Sequence, residues 1–272
     1  MRLMNLKPGR QVRFYLAGLP FILVAVAYLT GSGIRLAENP SDKLLPALST
    51  MAEAVKHMAF ETDVRTDGIL MLSDTLSSLG RFFSALAIST SVALVLGIMI
   101  GFLPSVNALM APFVGVASMV PPLALLPILF IAMGLGENSK IALIVIGTLP
   151  FITRDLTLRV LELPREQLIK AQTLGASSWQ VALRVVLPQI LPRLIDSVRL
   201  QLGPAWLFLI AAEAIASDSG LGYRIFLVRR YLSMDVIIPY VIWITFLAFV
   251  MDAGLGLLQR KLFPWFASVR SE

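Results

Sequence analysis

Residues Lys170 to Pro188 read KAQTLGASSWQVALRVVLP, and how this stretch is understood decides the fold of the chain around it. Pro164, just upstream, suits the first turn of a helix, where a missing N–H costs nothing. Leu168, Ala171 and Leu174 then form a narrow apolar stripe among Glu166, Gln167, Lys170 and Gln172. Gly175 is placed to take the left-handed conformation that closes a helix. Ser177 or Ser178 can cap the next helix, whose Trp179, Ala182, Leu183 and Val186 fall at i, i+3, i+4 and i+7. Pro188 and Pro192 are expected to end that second helix. Each helix has one apolar face, and something must cover it.

The rest of the chain is far more apolar. Of 272 residues, 57% are hydrophobic and 15% charged, with a mean hydropathy of +0.81. Soluble domains carry about 45–50% and about 25%, so the departure points to membrane. There is no cysteine, which excludes disulfides, thiolate metal sites and thiol nucleophiles. His57 is the single histidine, too few for a histidine metal cluster, and reads as a surface residue of the amphipathic stretch 44–60. A net charge of +6 would indicate nucleic acid in a soluble protein. In a membrane protein it reflects basic cytoplasmic loops.

Phe14 to Ile34 is uncharged and follows Arg2, Lys7, Arg10 and Arg13. Ala25-Val26-Ala27 imitates a signal-peptide cleavage site, but the apolar run is longer than a usual h-region and continues past it, so a retained helix is expected. From Phe82 to Gly136 there is no Asp, Glu, Lys, Arg or His. One straight helix of that length would reach roughly 80 Å, against a hydrocarbon core of about 30 Å. It must cross twice, with a turn at 102–107 and spans near 82–103 and 109–133. Stretches 140–158, 197–217 and 236–258 complete the set. The fold class is therefore all-α, a polytopic membrane protein with about six transmembrane helices and both termini on one side.

Basic residues choose the side. With the N-terminus, 154–199 and the C-terminus in the cytoplasm, fourteen lysines and arginines fall there, from Arg2 and Lys7 to Arg270, and eight fall outside. The outer eight include Arg35, Arg65 and Lys140, and Arg81 sits at a span boundary. The outer loop 35–74 also carries acidic residues, among them Asp67 and Asp74. Arg224, Arg229 and Arg230 are misfits, read as part of a short interfacial helix. The capped helix pair then faces the cytoplasm. It is a loop packed on its own bundle, a DNA-reading pair, or a lever for a partner. Both flanks return to the membrane within a few residues, which leaves no reach toward a major groove.

The stretch resembles the coupling-loop motif of membrane subunits of binding-protein-dependent ABC importers: E-A-A, three residues, G, nine residues, I-x-L-P. The matching positions are Ile169, Lys170 and Ala171, then Gly175, then Val185, Leu187 and Pro188. Ile169 and Lys170 depart from Glu and Ala, with Glu166 one turn earlier. PPLALLPILFIAMGLGENSKIALI (Pro121 to Ile144) and LGPAWLFLIAAEAIASDSGLGYRI (Leu202 to Ile225) look like segments of the taurine, sulfonate and nitrate branch. So does the D-x-x-L-x-x-L-Q-R-K-L-x-P-W-like ending from Asp252 to Trp265.

The resemblance implies a transmembrane core over 75–265 that includes a coupling loop at 159–192. Before it come a tail, a first helix and an external loop (1–74), and after it a cytoplasmic tail (266–272). It implies ATPase-coupling roles for Ala171, Gly175, Ala176, Ser177, Leu187 and Pro188. It also implies a non-catalytic permease in the bacterial inner membrane with no cofactor of its own. ATP and Mg would sit on a cytoplasmic ABC ATPase dimer. The other partners implied are a second permease subunit, as in a homodimer, an extracytoplasmic solute-binding protein and the bilayer, with no nucleic acid. The chain has no phosphate-cradling G-x-x-x-x-G-K-[ST], which agrees.

Carboxylates within spans are costly and face protein or water. Glu213 and Asp252 are each a pathway residue or proton relay, or else a structural carboxylate bonded to backbone or arginine. The relay reading belongs to an ion-coupled secondary transporter, a fold class that often shows repeated halves absent from this sequence. Pro121, Pro122 and Pro127 interrupt the third span and mark a gate or a packing kink. Residues 217–222 read as an external turn that meets a binding protein or simply joins two helices.

Overall fold

The computed structural model describes residues 9–40, 42–63 and 68–269. Arg2, Lys7, Arg65, Asp67, Arg270 and the end of the 266–272 tail lie outside the described residues. The order is α1 (Arg10–Glu38), α2 (Leu48–Phe60), a two-residue hairpin pairing Thr62 with Ile69, α3 (Leu70–Phe102), α4 (Pro104–Ala117), a 3-10 turn (Pro122–Leu125), α5 (Leu126–Met133) and α6 (Glu137–Leu161). Then follow α7 (Arg165–Thr173), α8 (Ser178–Val181), a π-helical turn (Ala182–Val186), α9 (Leu187–Ala216), α10 (Leu221–Arg229), α11 (Met234–Leu262) and α12 (Pro264–Val269).

Among the described residues, five stretches are long and apolar enough to cross a bilayer: Gln11–Glu38, Leu70–Phe102, Glu137–Leu161, Ser178–Ala216 and Met234–Leu262. Helix α4 and the 3-10 turn with α5 form a sixth, bent by 82°. Helices suit lipid because every backbone group is satisfied within the segment. The core lies among α3, α6 and α9, where Phe82, Ile144, Ile152, Leu156, Ile190 and Leu209 are fully or almost fully buried. Phe82 stacks on Trp206 at 4.7 Å between ring centres. Gly147 lets α6 and α9 meet, since a Cβ there would collide with the Phe208 ring. Thr148 donates to Ser89 Oγ (2.8 Å), joining α6 to α3.

Helix α1 stands apart. None of its apolar stretch is buried, and its ties are at its far end, where Tyr28 donates to the Pro46 carbonyl (2.7 Å) and Ser32 to that of Leu45 (2.9 Å).

Three expectations change. First, α3 starts at Leu70, so Asp74 and Arg81 lie inside a helix and not in a loop or at its edge. Their carboxylate and guanidinium are neutralised by other helices, which removes the cost that hydropathy charges them. Second, the third span begins earlier than 109, at Pro104, and its expected interruption is an 82° bend in which Ser118 to Pro121 separates the halves. Third, Pro188 and Pro192 do not stop the second helix of the pair, which runs on into α9. The π turn ends with Leu187 N–H on the Ala182 carbonyl. Pro188 therefore falls in the first turn of α9, where no donor is needed. Pro192 then forfeits one bond, to the carbonyl of exposed Pro188. Its own carbonyl accepts from Gln259 Nε2 (2.7 Å), which anchors α11.

Candidate functional site

The bundle has two chemically distinct ends. At the first, α6 ends and α9 begins. There α7 closes with the two bonds of a Schellman turn: Gly175 (φ +83°) donates to the Gln172 carbonyl (2.9 Å) and Ala176 to the Ala171 carbonyl (3.1 Å). The next helix carries a reciprocal cap. Gln180 N–H donates to Ser177 Oγ (3.3 Å), and Ser177 N–H donates to Gln180 Oε1 (2.9 Å). The pair thus satisfies its own backbone. One side-chain bond ties it to the bundle, from Gln189 to Gln167 (3.0 Å), and beside it Arg193 donates to Glu162 (2.9 Å), joining the end of α6 to α9. Desolvation pushes the Glu162 carboxyl upward, but the hydrogen bonds from Arg193 and Arg159 outweigh it and hold it below its ordinary value.

Large apolar side chains point outward here. Leu174 is 88% exposed and Trp179 72%, with Ile169 and Leu183 exposed beside them. The stripes expected to pack inward are only partly buried. Leu168 and Ala171 are half-buried, while Val181, Val186 and Ile190 form the buried line of the second helix. The π turn adds one residue to the repeat, so the buried face skips Trp179 and Leu183. Leu187 is half-buried. The pair thus presents apolar side chains outward while its backbone is capped from within.

The opposite end turns charge inward. Asp74, Ser78 and Arg81 share one face of α3. Glu213, wholly buried near the end of α9, accepts from Arg81 (2.6 Å), Ser78 (2.8 Å) and Gly222 N–H (2.8 Å). Arg81 also binds Glu137 and donates to the Ser219 carbonyl (2.8 Å), and Lys140 donates to Glu137 (2.8 Å). Asp74 accepts from Arg224 (2.8 Å) and Gly220 N–H (3.1 Å), and Leu221 N–H donates to Ser78 (2.9 Å). Three carboxylates (Asp74, Glu137, Glu213) meet three cations (Arg81, Lys140, Arg224). Three consecutive N–H groups opening α10 are bound by side chains from α3 and α9, which serves the free donors of a helix start. The 217–222 turn is therefore locked to the bundle.

Glu213 and Asp252 are not brought together. Asp252 is held by both arms of Arg199, at 2.7 and 2.8 Å. Pro121 and Pro122 lie at the break of the bent span, where the Pro121 carbonyl accepts from Ala124 N–H (3.1 Å). Sequence reasoning missed Arg81 as the hub of the charged end. Its one signal was its place as the last charge before the charge-free stretch from Phe82.

Residues 93–265 match the family described as binding-protein-dependent transport system inner membrane component. The taurine transport system permease protein of Escherichia coli is 36% identical over 194 residues, 71% of this chain and 70% of that protein. A putative aliphatic sulfonates transport permease protein of Bacillus subtilis is 29% identical over 262 residues, covering 95% and 91%. Among solved structures, a chain of the inward-facing MetNI methionine ABC transporter superposes with a TM-score of 0.63 at 19% identity, covering 71% of this chain and 95% of that one. That last likeness is one of fold. The fold, the capped loop and the two permease relatives agree: this chain belongs to the family of inner-membrane permease components of binding-protein-dependent transport systems.

Proposed function

We propose that the chain forms the translocation pathway of an ATP-driven importer for a small anionic solute of the sulfonate, taurine or nitrate kind. Two copies pair in the membrane. Separate ATPase subunits hold ATP and Mg, and an external binding protein delivers the solute. The permease itself carries no catalytic group. The observation that carries this reading is the outward, self-capped helix pair with Leu174 and Trp179 exposed. A helix pair whose backbone needs nothing from its surroundings moves as one body when an ATPase presses on its apolar side chains. The solute class follows the names of the permease relatives.

Both termini and the helix pair face the cytoplasm, as the lysines and arginines favour. Arg224, drawn inward by Asp74, stays among the outer eight with Arg229 and Arg230, and the fourteen on the other side outweigh them. Ion-coupled transport through Glu213 and Asp252 is disfavoured, since each carboxylate is paired with an arginine and neither faces the other.

The test is uptake into proteoliposomes holding the permease, its cognate ATPase and its binding protein. ATP-dependent accumulation of taurine, methanesulfonate or nitrate is expected. Uptake driven by a proton gradient with the ATPase omitted would contradict the reading.

A further inference from the structure

Arg154 differs from the other arginines of the central helices. Arg81, Arg159, Arg193 and Arg199 each meet a carboxylate within 3.4 Å. None of the ion pairs among the described residues includes Arg154. It donates only to the hydroxyl of Ser118 (3.3 Å), whose own proton goes to the Gly115 carbonyl (2.8 Å). Arg154 lies on α6, seven residues before its end, and is exposed on the surface of the chain. Near the loop end of α6 an arginine without a carboxylate partner is directed to protein or water and not to lipid.

A cavity of about 330 Å3 opens at this place between α6 and α9, lined by Phe151, Arg154, Asp155, Ser197, Leu200 and Gln201 among others. Asp155 is already engaged: it accepts from Ser197 and lies 3.4 Å from Arg159. The cavity therefore offers one uncommitted guanidinium, a carboxamide and an apolar wall of Phe151 and Leu200. That is a small set of polar groups on a mostly apolar surface, as a small-ligand site requires. Guanidinium also binds planar or tetrahedral oxyanions through paired N–H donors.

We infer that Arg154 and Gln201 form an anion-binding site within the translocation pathway, with the sulfonate or another oxyanion replacing Ser118 on the guanidinium. Ser118 lies at the break of the bent span, so occupancy of the site would exchange this one bond between α6 and the joint for a bond to the anion. The inference rests on the anionic-solute reading above and adds to it where in the chain the anion is held.

The chain has no cysteine, so a single Leu200→Cys reports on the cavity without background. The permease and its ATPase, in nanodiscs, are treated with a charged methanethiosulfonate in the presence of taurine, methanesulfonate or nitrate. Labelling is expected, with slowing by the transported anion. Arg154→Gln in the same background should raise the protecting concentration by about tenfold or more, the size of one charge-assisted contact, and Arg154→Lys should restore part of it. Arg154→Gln should keep the elution profile and thermal unfolding midpoint of the unsubstituted complex, which separates loss of binding from loss of fold. An unlabelled Leu200→Cys would overturn the site by showing a dry cavity. Labelling that no anion slows, in a transporter whose uptake of that anion is measured, would overturn the site and leave the anion reading standing. Failure of the unsubstituted transporter to move any of the three anions would overturn both.

Discussion

The two ends of the bundle solve opposite problems. At the loop end the backbone is satisfied locally, by Gly175 and by Ser177 with Gln180, and apolar side chains are left outside. At the other end the charges are turned inside and paired across α3, α6, α9 and α10, with Glu213 at the centre. The first arrangement leaves an apolar surface uncovered within this chain. The second completes itself and fixes the start of α10 to the bundle. On the proposed function, the difference would teach where motion enters and where it is resisted: the helix pair would be pushed as a unit, while the charged end holds three helix ends in register.

The largest test of this contrast is Glu213→Ala. It would leave Arg81 buried beside an empty space and remove the acceptor of Gly222 N–H. Breaking such a buried pair costs about 3–5 kcal/mol, so we expect a strong loss of thermal stability and of protein in the membrane. Unchanged stability would mean that the charged end is not a structural lock. Gly147→Val follows, because the added side chain meets the Phe208 ring where α6 and α9 touch. Overpacking of this kind costs about 1–3 kcal/mol, read as a lowered unfolding midpoint in detergent.

At the loop end the expected effects on stability are smaller and those on coupling larger. Gly175→Ala places a side chain at φ +83°, costing about 1–2 kcal/mol. Uptake should fall well below what that loss explains, while ATP hydrolysis persists. Ser177→Ala removes one half of the cap and costs about 0.5–1 kcal/mol, with a modest fall in uptake. Equal effects at both ends would erase the distinction between them.

What the sequence revealed follows the same division. The glycine turn, the serine cap and the six apolar stretches depend on residues a few positions apart, and all were legible. The charged end was not, because Arg81 and Glu213 lie 132 positions apart and Asp74 and Arg224 150. Pairing over such distances leaves no local pattern, so Asp74 read as a loop residue, and for Glu213 the alternative of a structural carboxylate bonded to backbone or arginine could be stated without naming Arg81 or Gly222. The continuation of the second helix through Pro188 was hidden for a different reason. A π turn shifts the hydrogen-bond register by one residue, and no feature of residues 182–186 announces it. That shift also turned Trp179 and Leu183 outward, against the 3.6-residue pattern. The site at Arg154 was invisible too, since a lone arginine in the sequence does not disclose whether a carboxylate lies opposite.

The account stands on the helix pair being the point where an ATPase acts. The most direct measurement is crosslinking from a single Thr173→Cys, on the exposed end of α7 and in a chain with no other thiol, to the co-expressed ATPase in membranes. A crosslink whose yield changes with nucleotide is the predicted result. Free labelling of that cysteine in the cytoplasm, with no crosslink to the ATPase in any nucleotide state, would contradict it.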